Sequence, residues 1–178
     1  MIIIIGIAGA GKSTQGQLLA QRLGCPWLSV GQLLREHMDG DQKKRMLAGE
    51  MIEDNLLLPI FGDELKRLGA DKNELILDGS PRSQHQAEWL AAKVKSGDIK
   101  MTAIIHMNAF KETVKQRLLS RGRPDDNEVA INQRFLEYEK TIVPILGYLK
   151  TQGFKIYDID GEGPVERDAK LIKQALGF

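Results

Sequence analysis

Cysteine is almost missing: Cys25 is the single one among 178 residues, which excludes an internal disulfide and a four-thiolate zinc site. In "GCPWL" it reads as a small core residue and not a nucleophile, and the compartment is expected to be reducing. Neither sign of charge dominates. With 25 basic and 24 acidic residues the formal charge is +1, so nothing general draws the chain to nucleic acid or a membrane surface, and any polyanion site has to be local. No apolar run approaches a membrane span, and the opening "MIIIIG" has neither the basic leader nor the full apolar length of a signal peptide. A soluble, cytoplasmic protein is expected. There is also no repeat and no low-complexity tract, which excludes a solenoid and a disordered chain. The composition, 42% hydrophobic and 28% charged, is that of one globular domain with its own core.

Five short apolar or β-rich stretches punctuate the chain: "MIIII", "PWLSV" (26–30), "ELILD" (74–78), "TAIIHM" (102–107) and "FKIYDI" (154–159). Helical patterns lie between them, with apolar residues three and four apart, as in "STQGQLLAQRL", "SQHQAEWLAAKVK" and "EVAINQRFLEYEK". Strands alternating with helices predict an α/β fold: a five-stranded parallel sheet covered by helices on both faces, in three layers. Between "LSVG" and "ELILD" two or three helices replace the usual one. The segment at 31–56 is therefore expected to be a small helical cover inserted into a core of 1–30 and 57–178, with no linker to make it a separate domain.

Gly6, Gly11, Lys12 and Ser13 in "GIAGAGKS" satisfy the phosphate-loop pattern G-x-x-x-x-G-K-[ST], with an apolar strand before and an amphipathic helix after it. Gly9 and Gly11 allow backbone angles that leave amide N–H groups aimed at a phosphate, at the positive end of the helix. Lys12 adds a mobile charge for the β- and γ-phosphates and Ser13 a hydroxyl for Mg²⁺. Asp78 ends the apolar run "LILD", where open α/β sheets place their ligands, and is expected to hold the Mg²⁺ hydration shell.

Five of the ten arginines occupy meaningful positions. Arg82 follows the Asp78 strand, Arg117 and Arg121 lie four apart on one helix face, Arg123 follows a glycine, and Arg134 comes one helix later. Such a set suits a reaction in which both substrates carry phosphates, because charge on the transferring group must be met by fixed cations. A phosphate acceptor is already an anion and needs no general base. His37, His85 and His106 are accordingly read as structural.

These motifs resemble the adenylate kinases, of the nucleoside monophosphate kinase family, over essentially the whole length. The matching stretches are "GAGKSTQ", "SVGQLLR" (29–35), "DGSPRSQHQ" with Arg82 and Gln86, and "RPDD" followed by Arg134. The resemblance implies phosphoryl transfer from ATP to AMP, giving two ADP, with Mg²⁺ as cofactor and no zinc. ATP would be held by Gly9, Ala10, Gly11, Lys12, Ser13 and Thr14, by Arg117 and Arg121, and by the backbone of Gly163 at its base. AMP would be held by Arg35 and Arg82 at its phosphate. Val30, Gly31, Glu50, Met51 and Ile52 would lie against its base and Gln86 would read its polar edge, and Gly79, Ser80 and Pro81 would also belong to the AMP site. Lys12, Arg82, Arg121, Arg123 and Arg134 would be the catalytic cations, Arg123 and Arg134 bridging the transferring group, with Asp125 and Asp126 orienting the arginines. Gln86 favours AMP, since an amide can both donate to and accept from an adenine edge. UMP or CMP as acceptor is the alternative, and a slow nucleotide-binding regulator a more distant one.

Four departures from the family pattern bear on details. Val30 and Gln32 stand in place of threonine and aspartate, and Ser80 in place of a bulky residue. The 31–56 cover is short, and Gly122 alone separates Arg121 from Arg123 where longer relatives carry a lid, so the lid is reduced to a turn at 121–125. Movement of the 31–56 cover and a second copy of the chain, packed where the lid would be, are expected to keep water out; the alternative is a monomer with a wetter site.

Overall fold

Residues 1–47, 52–122 and 126–178 are described by a computed structural model. The β-branched run at the start forms strand β1 (Ile2–Gly6) and leads through the glycine loop into helix α1 (Lys12–Leu23). Strand β2 (Trp27–Ser29) is followed by three helices, α2 (Val30–His37), α3 (Gly40–Leu47) and α4 (Asp54–Arg67), before strand β3 (Ile76–Asp78). Next come α5 (Gln84–Lys95), β4 (Ala103–Asn108), α6 (Lys111–Arg121) and α7 (Glu128–Glu137). A π-helical turn, Tyr138–Ile142, joins α7 to α8 (Val143–Thr151), and β5 (Ile156–Asp160) and α9 (Val165–Leu176) end the chain.

The strands form one parallel sheet in the order β2-β3-β1-β4-β5, the α/β architecture expected from the alternating pattern. Because side chains alternate across a strand, the isoleucine run of β1 serves both faces. Ile3 and Ile5 pack with Leu57, Phe61, Leu90, Ile145 and Leu149 of α4, α5 and α8. Ile2 and Ile4 pack with Leu19, Val114, Leu118 and Ile172 of α1, α6 and α9. Each fully buried isoleucine is worth about 2–3 kcal/mol of transfer free energy, so a polar residue in β1 would cost one face of the core.

This packing decides where chemistry can occur. β1 is central, β3 and β4 flank it, and the chain crosses to opposite sides of β1 to make them. The carboxyl ends of β1, β3 and β4 therefore open a crevice at the switch in strand order, the place where such sheets bind ligands. The glycine loop after β1, the Asp78 end of β3 and the start of α6 after β4 all meet there. The stretch expected to be a cover contains α2 and α3.

Candidate active site

Gly9 and Gly11 hold φ of 86° and 91°, left-handed angles that a side chain would make strained. Their conformation turns the loop back so that Lys12 begins α1 and its Nζ donates to the Ile7 carbonyl at 2.8 Å. The ammonium thus lies inside the loop's own ring. Loss of water there pushes the Lys12 pKa down to about 8; Arg82, Arg121 and Arg134 depress it further, and Asp78 opposes them. These four charged groups are therefore close enough to be felt at the loop. Three arginines are felt at this lysine, two of them held by Asp126, an arrangement suited to receiving a further anion.

Ser13 Oγ donates to Asp78 Oδ2 at 2.5 Å, joining the first turn of α1 to the end of β3. Asp78 is buried at the sheet edge. A hydroxyl and a carboxylate oxygen presented together beside a phosphate cradle are the hard donors that Mg²⁺ takes. Arg82 leaves the next turn and its Nε donates to the Gly79 carbonyl at 2.8 Å, which directs the guanidinium toward Asp78.

Asp126 is the anchor for two of the other cations. Its side chain is fully buried, and it accepts a bidentate pair from Arg121, Nε to Oδ2 at 2.8 Å and Nη2 to Oδ1 at 2.7 Å. Arg134 Nη1 donates to the same Oδ1 at 3.0 Å. One carboxylate on the connection between α6 and α7 thus fixes the orientation of guanidinium groups from both helices.

Arg117, one turn before Arg121, points to the far side of the loop. Its Nη1 donates to the Gly161 carbonyl at 2.7 Å and its Nη2 to that of Gly163 at 3.3 Å, tying α6 to the turn after β5. Gly161 is needed there, since a Cβ would stand 3.0 Å from the carbonyl oxygens of Ala10 and Asn108. The turn therefore rests directly on the phosphate loop.

On the opposite side of Asp78 lies the second half of the crevice. Ser29 caps α2, accepting from Gln32 N–H at 3.4 Å, and Gln32 turns along the helix to Glu36. Val30 is buried, while Arg35 is exposed on α2. Gln86, in the first turn of α5, is buried. Its Oε1 accepts from the Arg82 N–H at 2.8 Å and from Ser80 Oγ at 3.1 Å. Its Nε2 donates to Asp54 Oδ1 at 2.6 Å, and Ser83 Oγ donates to Asp54 Oδ2 at 2.5 Å.

The structure thus brings together Lys12, Ser13, Asp78, Arg82, Arg121 and Arg134, and sets Arg117 and Gly163 on one flank and Gly79, Ser80, Pro81 and Gln86 on the other. Ile52 packs against the core beneath α4. Arg123, Glu50, Met51 and Asp125 lie outside the described residues. Asp54 was not legible as a site residue: it reads as an acid in the first turn of a helix, and only the fold sets it against Gln86. The histidines take packing partners as expected. His37 Nδ1 meets the Leu33 carbonyl, His85 lies beside Asp54, and His106 bridges Asp158 and Tyr138.

Comparison with known proteins agrees with this geometry. The family model described as adenylate kinase matches residues 4–154. The chain is 37% identical to adenylate kinase 1 of Synechocystis, over 97% of this chain and 96% of that protein. It is 36% identical to an adenylate kinase of Corynebacterium urealyticum over 98% of each, and 35% identical to one of Prochlorococcus marinus over 99% of this chain and 97% of the relative.

Proposed function

The chain belongs to the adenylate kinase family, phosphotransferases that convert ATP and AMP to two ADP, and on that premise we propose how its own groups divide the work. The observation that carries the assignment is the convergence of Arg82, Arg121 and Arg134 on Lys12, with Asp126 fixing two of the arginines. A protein that only binds nucleotide has no use for fixed cations between two phosphate sites. Here they meet the charge that spreads over the phosphoryl group as it moves between oxygens, so positioning and electrostatics supply the rate.

ATP lies with its phosphates on the amides of residues 9–14, on Lys12 and near Arg121, and its base beside Arg117 and the Gly163 carbonyl. Ser13, directly, and Asp78, through water, would hold Mg²⁺, which supplies charge neutralisation across the β- and γ-phosphates. AMP lies on the other side of Asp78, its phosphate on Arg82 and Arg35 and its base toward Gln86, Val30, Gly31 and the 50–52 segment. Arg123 and Arg134 bridge the transferring group. No general base is required, because the attacking oxygen belongs to a phosphate. The 31–56 segment acts as the acceptor cover and the lid is a turn at 121–125. Exposed Val129 and Leu136, two turns apart on α7, and exposed Phe110 support a second copy of the chain packing where a lid would be.

Among the described residues no helix is long and apolar enough to cross a membrane; with a single cysteine, this supports a cytoplasmic enzyme. Relatives named adenylate kinase disfavour UMP or CMP as acceptor. Coupled detection of ADP with AMP, CMP, UMP and GMP tests the reading. AMP should be the fastest acceptor, and a faster rate with any of the others would overturn it.

A further inference from the structure

The amide of Gln86 has less to offer a base than its residue type suggests. A primary amide carries two acceptor lone pairs and two donor hydrogens. Which end is which is decided by partners that allow no choice: the Arg82 backbone N–H can only donate, and the Asp54 carboxylate takes the Nε2 hydrogen. Arg82 N–H and Ser80 Oγ use both lone pairs of Oε1, and Asp54 uses one of the two hydrogens. One N–H is left.

We propose that Ser80 determines acceptor specificity: by occupying the second lone pair of Gln86 it makes the amide a pure donor, so that Gln86 reads a ring nitrogen that accepts and does not read the exocyclic amino group of the base. This rests on the reading of AMP as acceptor with Gln86 at its base. The bases it admits are those with an unprotonated ring nitrogen on the recognised edge, adenine first and cytosine second. Guanine and uracil present a ring N–H there and meet it donor to donor.

Ser80 does not yield its place easily. It is buried, and if the amino group of adenine displaced its hydroxyl from Oε1, that buried hydroxyl would lose the partner it donates to. The same hydroxyl is why the residue type matters. Alanine would return a lone pair to the amide, threonine would not.

The test compares AMP with purine riboside 5′-monophosphate, which keeps the accepting ring nitrogen and lacks the amino group. The ratio of kcat/KM for AMP to that for the analogue should rise about threefold or more in Ser80→Ala, as expected for one neutral hydrogen bond gained, and stay at the wild-type value in Ser80→Thr. The gain should appear in the acceptor KM and leave the ATP KM in place. An unchanged ratio in Ser80→Ala, or an equal rise in Ser80→Thr, overturns the proposal. If the alanine variant does not fold, the wild type decides through the Gln86 side-chain amide resonances: equal shifts with AMP and with the analogue support it, and distinct shifts overturn it. A wild-type enzyme that phosphorylated neither compound would overturn the AMP reading itself, and this proposal with it.

Discussion

With the triphosphate on the glycine loop, Lys12 should make ATP binding a proton-linked event. Its pKa in the free protein is about 8, against an ordinary 10.5, because the loop excludes water and three arginines lie nearby. A triphosphate on the loop should restore the charge by adding anionic oxygens beside the lysine, so ATP should bind the protonated form. At pH 7 nearly all of the free protein is in that form; at pH 9 about a tenth is. The dissociation constant for MgATP should therefore rise roughly tenfold between pH 7 and pH 9, with close to one proton taken up per ATP at the upper end. Calorimetric titration in two buffers of different ionisation enthalpy measures both quantities. An affinity flat from pH 7 to 9, or no proton uptake, would refute the reasoning.

The same lysine should cost stability. Its folded pKa is depressed, so the unfolded chain binds the extra proton. The penalty is complete below about pH 8 and disappears as pH rises toward 10.5. The difference corresponds to about 3 kcal/mol, from which about 1 kcal/mol is lost with the bond to the Ile7 carbonyl. Lys12→Met is thus expected to be inactive yet more stable by about 2 kcal/mol at pH 7, the gain fading by pH 10. Urea unfolding of both proteins across that range checks the sign; a variant less stable than the wild type at pH 7 would contradict it.

Lys12→Ala should fold and lose on the order of 10³-fold or more in kcat, comparable with loss of an arginine finger; retention of a tenth of the rate would remove this loop from the donor site. Arg82→Lys replaces a planar fork by a point charge and should raise the KM for AMP far more than that for ATP, the reverse order meaning that Arg82 serves the other phosphate. Asp126→Asn turns N–H groups toward Arg121 and Arg134 and should destabilise by about 3 kcal/mol, with a loss in kcat that added guanidinium does not restore; wild-type values of both would show that the buried carboxylate is not their anchor. If a second copy completes the site, specific activity should fall on dilution together with the mass by light scattering, whereas a monomeric mass with constant specific activity would exclude the subunit cover.

Strands and phosphate loop were legible because their signals are local. An isoleucine run before glycines, and "LILD" before a second loop, state their conformation within a few residues. Arg82, Arg121 and Arg134 were legible from their positions at helix and strand ends, and Asp126, which holds Arg121 bidentately, lies only five residues from it in sequence. Asp54 was not legible. Its meaning depends on α4 and α5 meeting side by side, with Ser83 and Gln86 brought from about thirty residues away, and nothing in "EDNLLL" announces a partner. The π-helical turn at Tyr138–Ile142 was hidden for a similar reason, since His106 on β4 reaches Tyr138 only after the sheet has formed.

Gln86 shows how far residue identity carries a functional argument. Its type and spacing suggested an amide that both donates and accepts, as an adenine edge invites. In the fold, Ser80, Arg82 and Asp54 have already claimed three of its four hydrogen-bonding positions. Specificity at such a site is set by what the neighbours leave unused. In sequence Ser80 reads as a departure from the family pattern in size; its proposed consequence lies in its hydroxyl. A bulky apolar residue would leave the amide's second lone pair for the base, while a buried serine takes it. Ser80 is thus coupled to Gln86 through its hydroxyl, and substitutions at Ser80 should move acceptor preference even though the serine itself need not touch the base.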